Sequence, residues 1–230
     1  MKNIRRFFLG VWVLALISCK QETETASTPA PSSIPDFSTT KTRAETGDLQ
    51  AESALGEIYA EGKQVRRDFA EAAKWYRKAA EKGFAKAQYN LGVLYEIGQS
   101  VPHDDAEAAS WYKKAADQGL ADAQYNIAGM YALGRGVPRN SKETFRYYNL
   151  AAEQGDALSR YNLAERYERA KDVEQDLVEA YKWHSLAADV GFKDGAVSKK
   201  HLEEKLNSKQ LVEARKRVEE YRAKHPLTKK

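Results

Sequence analysis

The chain has 230 residues, of which 42% are apolar and 30% are charged with both signs mixed. This composition supplies a hydrophobic core and excludes a disordered polyelectrolyte and a protein with many membrane spans. A single cysteine excludes an internal disulfide and a thiolate zinc site. The net charge of +4 falls to +1 once Met1–Ser18, with three basic residues and no acidic one, is set aside, so we expect no nucleic-acid partner.

An N-terminal targeting segment is predicted from residue 1 to residue 18. Lys2, Arg5 and Arg6 precede the uncharged run FFLGVWVLALIS, which has the order and length of a secretory signal. Its 12 residues make about 18 Å of helix, against roughly 30 Å of bilayer hydrocarbon, so a signal peptide is favoured over a transmembrane span.

The run ends in LISC, residues 16–19, which resembles the lipobox of bacterial lipoproteins. The resemblance implies that Cys19 is the lipidation site and that the membrane is one partner of the chain. Lys20 stands where lipoproteins retained in the inner membrane carry Asp, which implies an outer-membrane lipoprotein of the cell envelope that faces the periplasm. The alternative is an ordinary secretory signal with a chance cysteine. Residues 19–46, which hold three of the six prolines, are predicted to be a disordered, lipid-anchored tether.

A glycine recurs every 36 residues, at Gly47, Gly83, Gly119, Gly155 and Gly191. The period predicts four units, 47–82, 83–118, 119–154 and 155–190. In each unit, small and apolar residues at positions four, eight and twelve after the glycine form one face of a first helix. A small residue next to the aliphatic position, such as Gly56 or Gly92, predicts that two helix backbones approach closely there.

Capping residues predict where the two helices of each unit end and begin. The first helix is expected to end at Gly62, Gly98 and Gly134, and the second to begin at Asp68, Asp104, Asn140 and Asp176, each followed by Glu three residues later as in a capping box. In the fourth unit Ala170 replaces the capping glycine, so either a left-handed alanine or a longer helix is expected.

The segment Ala87–Gly119, AQYNLGVLYEIGQSVPHDDAEAASWYKKAADQG, resembles the Sel-one-like (Sel1-like) repeat, a relative of the tetratricopeptide repeat. The resemblance implies an all-α fold, a right-handed α-solenoid of four stacked helical hairpins whose first helices line the concave face. It also implies a role as an adaptor or scaffold for a protein or peptide partner.

Residues 191–230 are predicted to form C-terminal capping helices and a tail. A partial fifth unit spans 193–206, and Ser208 opens a last helix that contains Leu211, Val212, Arg215, Val218 and Tyr221. Residues 192–230 hold 12 basic and 6 acidic residues, which favours the solvated face of an end cap; contact with anionic lipid or nucleic acid is the alternative.

A candidate partner-binding groove is predicted on the concave face, from residues that recur at a local cost. Asn is a poor helix former, yet Asn90, Asn126 and Asn162 recur in mid-helix, each after a tyrosine: Tyr89, Tyr125 and Tyr161. One interpretation is structural: each amide satisfies a carbonyl of the adjoining hairpin and each Tyr packs between units. The other is that the Asn side chains bind the backbone of a partner segment, while the Tyr rings and Arg160 supply stacking and charge. The sequence leaves both interpretations open.

No motif predicts a catalytic residue, a metal site or a cofactor. His184 occupies an aromatic core position and is predicted to be packed, the string 103–105 to be a helix start, and the string 134–136 to be a turn rather than a phosphate loop. Two functions remain. A non-catalytic, lipid-anchored interaction scaffold is favoured. The alternative is a cell-envelope enzyme such as the β-lactamase-like hydrolases described among cysteine-rich relatives, whose paired cysteines this chain lacks.

Overall fold

The computed structural model describes residues 36–225, and within this range it contains eleven helices and no strand. The predicted signal peptide, the lipidation site Cys19, the tether as far as residue 35 and the tail from residue 226 lie outside the described residues. The helices are α1 (Phe37–Glu45), α2 (Leu49–Glu61), α3 (Phe69–Glu81), α4 (Ala85–Ile97), α5 (Asp105–Asp117), α6 (Ala121–Leu133), α7 (Ser141–Glu153), α8 (Ala157–Glu168), α9 (Leu177–Asp189), α10 (Lys193–Lys205) and α11 (Ser208–Lys224). Successive helices pack on one another as antiparallel hairpins, which confirms the predicted all-α solenoid.

Each second helix begins at its predicted N-cap. The side chain of Asp68 accepts a hydrogen bond from the backbone N–H of Glu71, and the equivalent bond is made by Asp104, Asn140 and Asp176. The other half of the predicted capping box differs, because the N–H of each N-cap residue donates to a carbonyl of the preceding first helix, such as Tyr59 for Asp68 at 3.0 Å. This bond satisfies a carbonyl that a helix end would otherwise leave unpaired, and it closes the hairpin.

The first helices end as predicted, in left-handed residues. Gly62, Gly98 and Gly134 have φ of 72°, 67° and 71°, a region that glycine adopts without steric cost. In the fourth unit, α8 ends one residue earlier and Ala170 has φ of 52°, so the first of the two expected outcomes, a left-handed alanine, is the one observed.

The core is a row of overlapping apolar clusters rather than one centre. Leu91 lies in a cluster with buried residues of α3 and α4, and Ile127 lies in a cluster with buried residues of α5, α6 and α7. Because each hairpin covers the apolar face of the next, stability is shared between neighbours along the chain.

The small residues in the first helices are required mainly because tyrosine rings pack against them, and less because two helix backbones approach each other. A Cβ added at Gly56 would lie 2.6 Å from Cδ1 of Tyr76, and one at Gly92 would lie 2.8 Å from Cδ1 of Tyr112. These rings belong to the second helix of the same hairpin. The predicted close packing is present, but its cause is a ring stacked over the glycine.

The predicted tether is wrong at its C-terminal end, because residues 37–45 form α1. The carboxylate of Asp36 caps this helix, and Ala44 is fully buried against Ala51 and Leu55 of α2. Ala44 stands 36 residues before Ala80, so α1 corresponds to the last turns of a second helix. It covers an apolar face of α2 at the N-terminal end of the described repeats.

The C-terminal segment forms the two predicted helices α10 and α11, but the buried face of α11 differs from the set of residues singled out in the sequence. Val212 is 70% exposed and Arg215 is also exposed, while Ala214 and Val218 are buried against α9 and α10. The basic excess is partly neutralised by α9, since Arg222 Nη2 lies 2.6 Å from Asp189 Oδ1. Among residues 36–225, no helix is long and apolar enough to span a bilayer.

Candidate functional site

The first helices present one continuous row of exposed and half-buried side chains, which we call the first-helix face. It follows helical spacing on the side of each first helix that does not pack on a second helix. Its residues in the second, third and fourth units are Lys86, Asn90, Val93 and Ile97, then Asp122, Asn126 and Leu133, then Leu158, Asn162, Glu165 and Arg169.

The three asparagines lie half-buried on this face and make different contacts. Asn90 Nδ2 donates to Glu57 Oε1 of the preceding hairpin at 3.4 Å, and Asn162 Nδ2 donates to the carbonyl of Leu158 in its own helix at 2.8 Å. Asn126 lines a small depression beside Leu133. The structural interpretation requires a backbone carbonyl of the adjoining hairpin as acceptor, and neither of these two bonds goes to such a group. The binding interpretation of the three amides stays a prediction.

The three tyrosines of the predicted groove pack against rings of their own hairpins, and Tyr89 also lies in a buried cluster with Ala123 and Ile127 of the next unit, as expected for packing between units. An aromatic ring of the second helix lies next to both Tyr89 and Tyr125. Their ring centroids lie 5.6 Å from Tyr112 and 5.9 Å from Tyr148. Tyr161 contacts His184 of its own hairpin at 5.2 Å and also Phe192 of the next unit at 5.3 Å. Burial raises the pKa of Tyr125 to about 12.

Arg160 does not supply charge to a groove, which corrects the prediction. The residue is 5% exposed, its Nε donates to the carbonyl of Ala152 at 3.0 Å, and its Nη1 donates to the carbonyl of Leu186 at 2.9 Å. The guanidinium therefore joins α8 to the helices on both sides and satisfies two carbonyls near helix ends.

Arg160 belongs to a buried polar ladder that the sequence analysis missed. The position five residues after each unit glycine holds a buried polar side chain: Glu52, Gln88, Gln124 and Arg160. Gln88 Nε2 donates to the carbonyl of Ala80 and Gln124 Nε2 to that of Ala116. The side chain of Glu52 has no N–H group, and in the first unit Lys78 Nζ donates to the equivalent carbonyl, that of Ala44. The signal was available, since polar residues recurred at a fixed register on an otherwise apolar face.

The turn at 134–136 has a structural role, as predicted. Gly136 has φ of 64°, and a Cβ there would lie 1.9 Å from the carbonyl oxygen of Asp105. Arg135 Nη2 lies 2.6 Å from Asp105 Oδ1 and its Nη1 lies 3.0 Å from Glu96 Oε1. Both contacts reach back to the second unit, so this arginine joins two hairpins.

A cavity opens at the C-terminal end of the first-helix face, between α8 and α10, and we call it the C-terminal cleft. It measures about 670 Å³, and its walls include Glu165, Glu168, His201 and Lys205. Burial raises the pKa of Glu165, while the nearby Arg169 lowers it.

His184 lies behind the C-terminal cleft and is fully buried, as predicted for a packed residue. Burial lowers the pKa of His184 to about 4, so its imidazole is neutral near pH 7. The structure also places its ring within 4.8 Å of one carboxylate oxygen each of Glu165 and Glu168. Sequence reasoning treated the histidines as scattered and missed this cluster.

Comparison with known proteins gives a consistent result. The Sel1 repeat model matches residues 49–84, 85–120, 121–156 and 157–192. A protective antigen of uropathogenic Escherichia coli strains that displays an SLR fold is 39% identical over 68% of this chain, with a TM-score of 0.66, and the alignment spans 34% of that protein. A Sel1 repeat protein from Oxalobacter formigenes is 32% identical over 71% of each chain, with a TM-score of 0.65. No match was found among curated proteins.

Proposed function

Because this chain belongs to the Sel1 repeat family, whose members are scaffolds for protein interactions, we propose that it is a lipid-anchored scaffold of the bacterial cell envelope. The first-helix face binds an extended segment of a partner protein, and the lipid on Cys19 holds the solenoid at the membrane. The chain performs no catalysis in this role.

One observation carries the binding surface. Ile97 and Leu133 occupy equivalent positions of α4 and α6, and each is 49% exposed. Exposed aliphatic side chains at matched positions leave apolar area in water, and a row of them beside half-buried amides is typical of a docking surface. Asn90 and Asn126 lie on the same face, two helical turns from these residues. The pairing suits a partner that inserts apolar side chains while its backbone accepts hydrogen bonds from the amides.

The anchor rests on the LISC run and on the length of chain between Cys19 and α1. Sixteen residues lie between Cys19 and Asp36, and at an extended spacing of about 3.1 Å per residue they reach roughly 50 Å. That reach lets the solenoid stand clear of lipid headgroups. Stable attachment by acyl chains follows from about 0.8 kcal/mol for each buried CH₂ group when more than one chain is present.

Two measurements test the proposal separately. For the anchor, the wild-type chain should incorporate labelled fatty acid and enter the detergent phase, and Cys19→Ala should do neither. A Cys19→Ala protein that is processed and partitions like the wild type refutes the lipid anchor.

For the binding face, a photo-crosslinking residue is placed at position 97 or 133 and, as a control, at the exposed position 212 on α11. Intact cells should give the same crosslinked protein from both face positions and not from the control. Replacing Asn90, Asn126 and Asn162 together by Ala should abolish that crosslink while the melting temperature is kept. A crosslink from position 212 alone, or one that the triple variant retains, would place the binding surface elsewhere.

A further inference from the structure

A buried histidine without a hydrogen-bond partner lies next to two carboxylates at the C-terminal cleft. His184 is 0% exposed, and neither ring nitrogen has a hydrogen-bond partner. Its Nε2 lies 3.7 Å from Glu168 Oε2, which is too long for a hydrogen bond. The equivalent positions of the first three units hold Tyr76, Tyr112 and Tyr148, so only the fourth unit has an imidazole where the others have a phenol. A buried imidazole left unpaired calls for an explanation.

In each of the two carboxylates, one oxygen contacts a cationic side chain. Arg169 Nη2 contacts Glu165 Oε2 at 2.6 Å, and Lys205 Nζ contacts Glu168 Oε1 at 3.0 Å. The oxygen of Glu168 that faces the imidazole is the other one, Oε2. Both cations have exposed side chains, 69% for Arg169 and 44% for Lys205, so they can remain beside their carboxylates or move into water when a cation enters.

We propose that Glu165, Glu168 and His184 form a binding site for a divalent transition-metal ion of the Zn²⁺ class. One atom from each residue already lies within 4.8 Å of the others, and ligand atoms around tetrahedral Zn²⁺ are separated by about 3.4 Å, so small side-chain rotations suffice. One imidazole nitrogen with two carboxylate oxygens suits Zn²⁺, Mn²⁺ or Fe²⁺, whereas Mg²⁺ and Ca²⁺ prefer all-oxygen sites.

The C-terminal cleft supplies the remaining requirements of a metal site. Glu165 and Glu168 line this cavity of about 670 Å³, which gives an entry path and room for a water ligand. The site joins α8 to α9 across the loop that contains Ala170, which has a left-handed backbone at a position without glycine. A bound ion therefore fixes the hairpin at the point where its capping departs from the other units.

The experiment uses the full chain without an affinity tag of histidines, treated with chelator and then titrated with Zn²⁺. We expect one ion bound per chain, a higher melting temperature, and no response to Mg²⁺. Co²⁺ in place of Zn²⁺ should give the intense visible absorption of a four-coordinate site. Glu165→Gln and His184→Tyr should each weaken Zn²⁺ binding by at least tenfold, and His184→Tyr introduces the residue that the other units carry there.

His201→Gln is the matched control, because His201 lines the same cleft outside the cluster. It should bind Zn²⁺ like the wild type. If the wild type binds no Zn²⁺, or if His201→Gln loses binding while His184→Tyr keeps it, the proposal is overturned. Should His184→Tyr fail to fold by circular dichroism, Glu165→Gln decides the question, since Glu165 is half-buried and its removal leaves the core intact.

Discussion

Replacing Arg160 by Gln should destabilise the solenoid, and adding Val190→Gln should restore most of the loss. In the second unit, two glutamine side chains together make the hydrogen bonds that Arg160 makes alone in the fourth unit. Gln118 Nε2 donates to Gln88 Oε1 at 2.7 Å and, at 3.4 Å, to the carbonyl four residues earlier in α5. Val190 is the residue equivalent to Gln118, and it has no group to donate.

The magnitude follows from the two carbonyls that Arg160 satisfies. Arg160→Gln can keep the bond to Ala152, as Gln88 does to Ala80, but it leaves the carbonyl of Leu186 unpaired in a buried position. A buried acceptor without a partner costs about 1–3 kcal/mol. Arg160→Ala also removes the bond to the carbonyl of Ala152, which keeps a backbone hydrogen bond from Gly155 at 3.0 Å, so it should cost about 1 kcal/mol more than Arg160→Gln. In the double variant the new Gln at position 190 can donate both to the amide oxygen of the new Gln at position 160 and to the carbonyl of Leu186. This should return the free energy of unfolding to within about 1 kcal/mol of the wild type.

The assay is urea unfolding followed by circular dichroism, with hydrogen exchange of α8 and α9 as a local measure. The order expected is wild type, double variant, Arg160→Gln and Arg160→Ala, from most to least stable. If Arg160→Gln is as stable as the wild type, or if Val190→Gln gives no recovery, the two carbonyl bonds do not hold this part of the ladder. The same variants should retain partner capture when folded, because the side chain of Arg160 is buried.

Two further predictions concern the repeat architecture. Gly136→Ala should lower the melting temperature by several degrees, because φ is 64° and the new Cβ would overlap a backbone oxygen. Gly83→Ala is the control and should lower the melting temperature less, because no atom lies within 4 Å of its Cβ; equal shifts would contradict the close packing of the turn at Gly136. Leu91→Ala and Ile127→Ala remove fully buried side chains, and each should lower the free energy of unfolding in urea by about 2–5 kcal/mol. In the wild type, hydrogen exchange should be faster in the terminal hairpins than in the central ones, and uniform protection along the chain would argue against stability shared between neighbouring hairpins.

The local features of this protein could be predicted from the sequence alone. The 36-residue period, the N-caps such as Asp68 and the left-handed ends such as Gly62 depend on residues within a turn or two of one another. Their physical causes are backbone sterics and the unpaired groups at helix ends, which act wherever the same residues recur. The same period contained α1 as well, since Ala44 and Gly47 stand one repeat before Ala80 and Gly83. The prolines and the scarcity of core-forming residues in residues 20–45 wrongly extended the predicted tether over α1.

Only the tertiary structure decided what the individual polar side chains do. The sequence marks Arg160 and Asn162 as neighbours in one helix, but packing buries the first between α7 and α9 and leaves the second half-buried on the first-helix face. Arg135 reaches the preceding hairpin, and His184 meets Glu165 and Glu168 across a hairpin. These contacts join residues that lie well apart in the chain, and the distances between them are set by how helices pack. No local rule of helix formation contains that information, because side chains on one helix have the same propensity whichever neighbour they face.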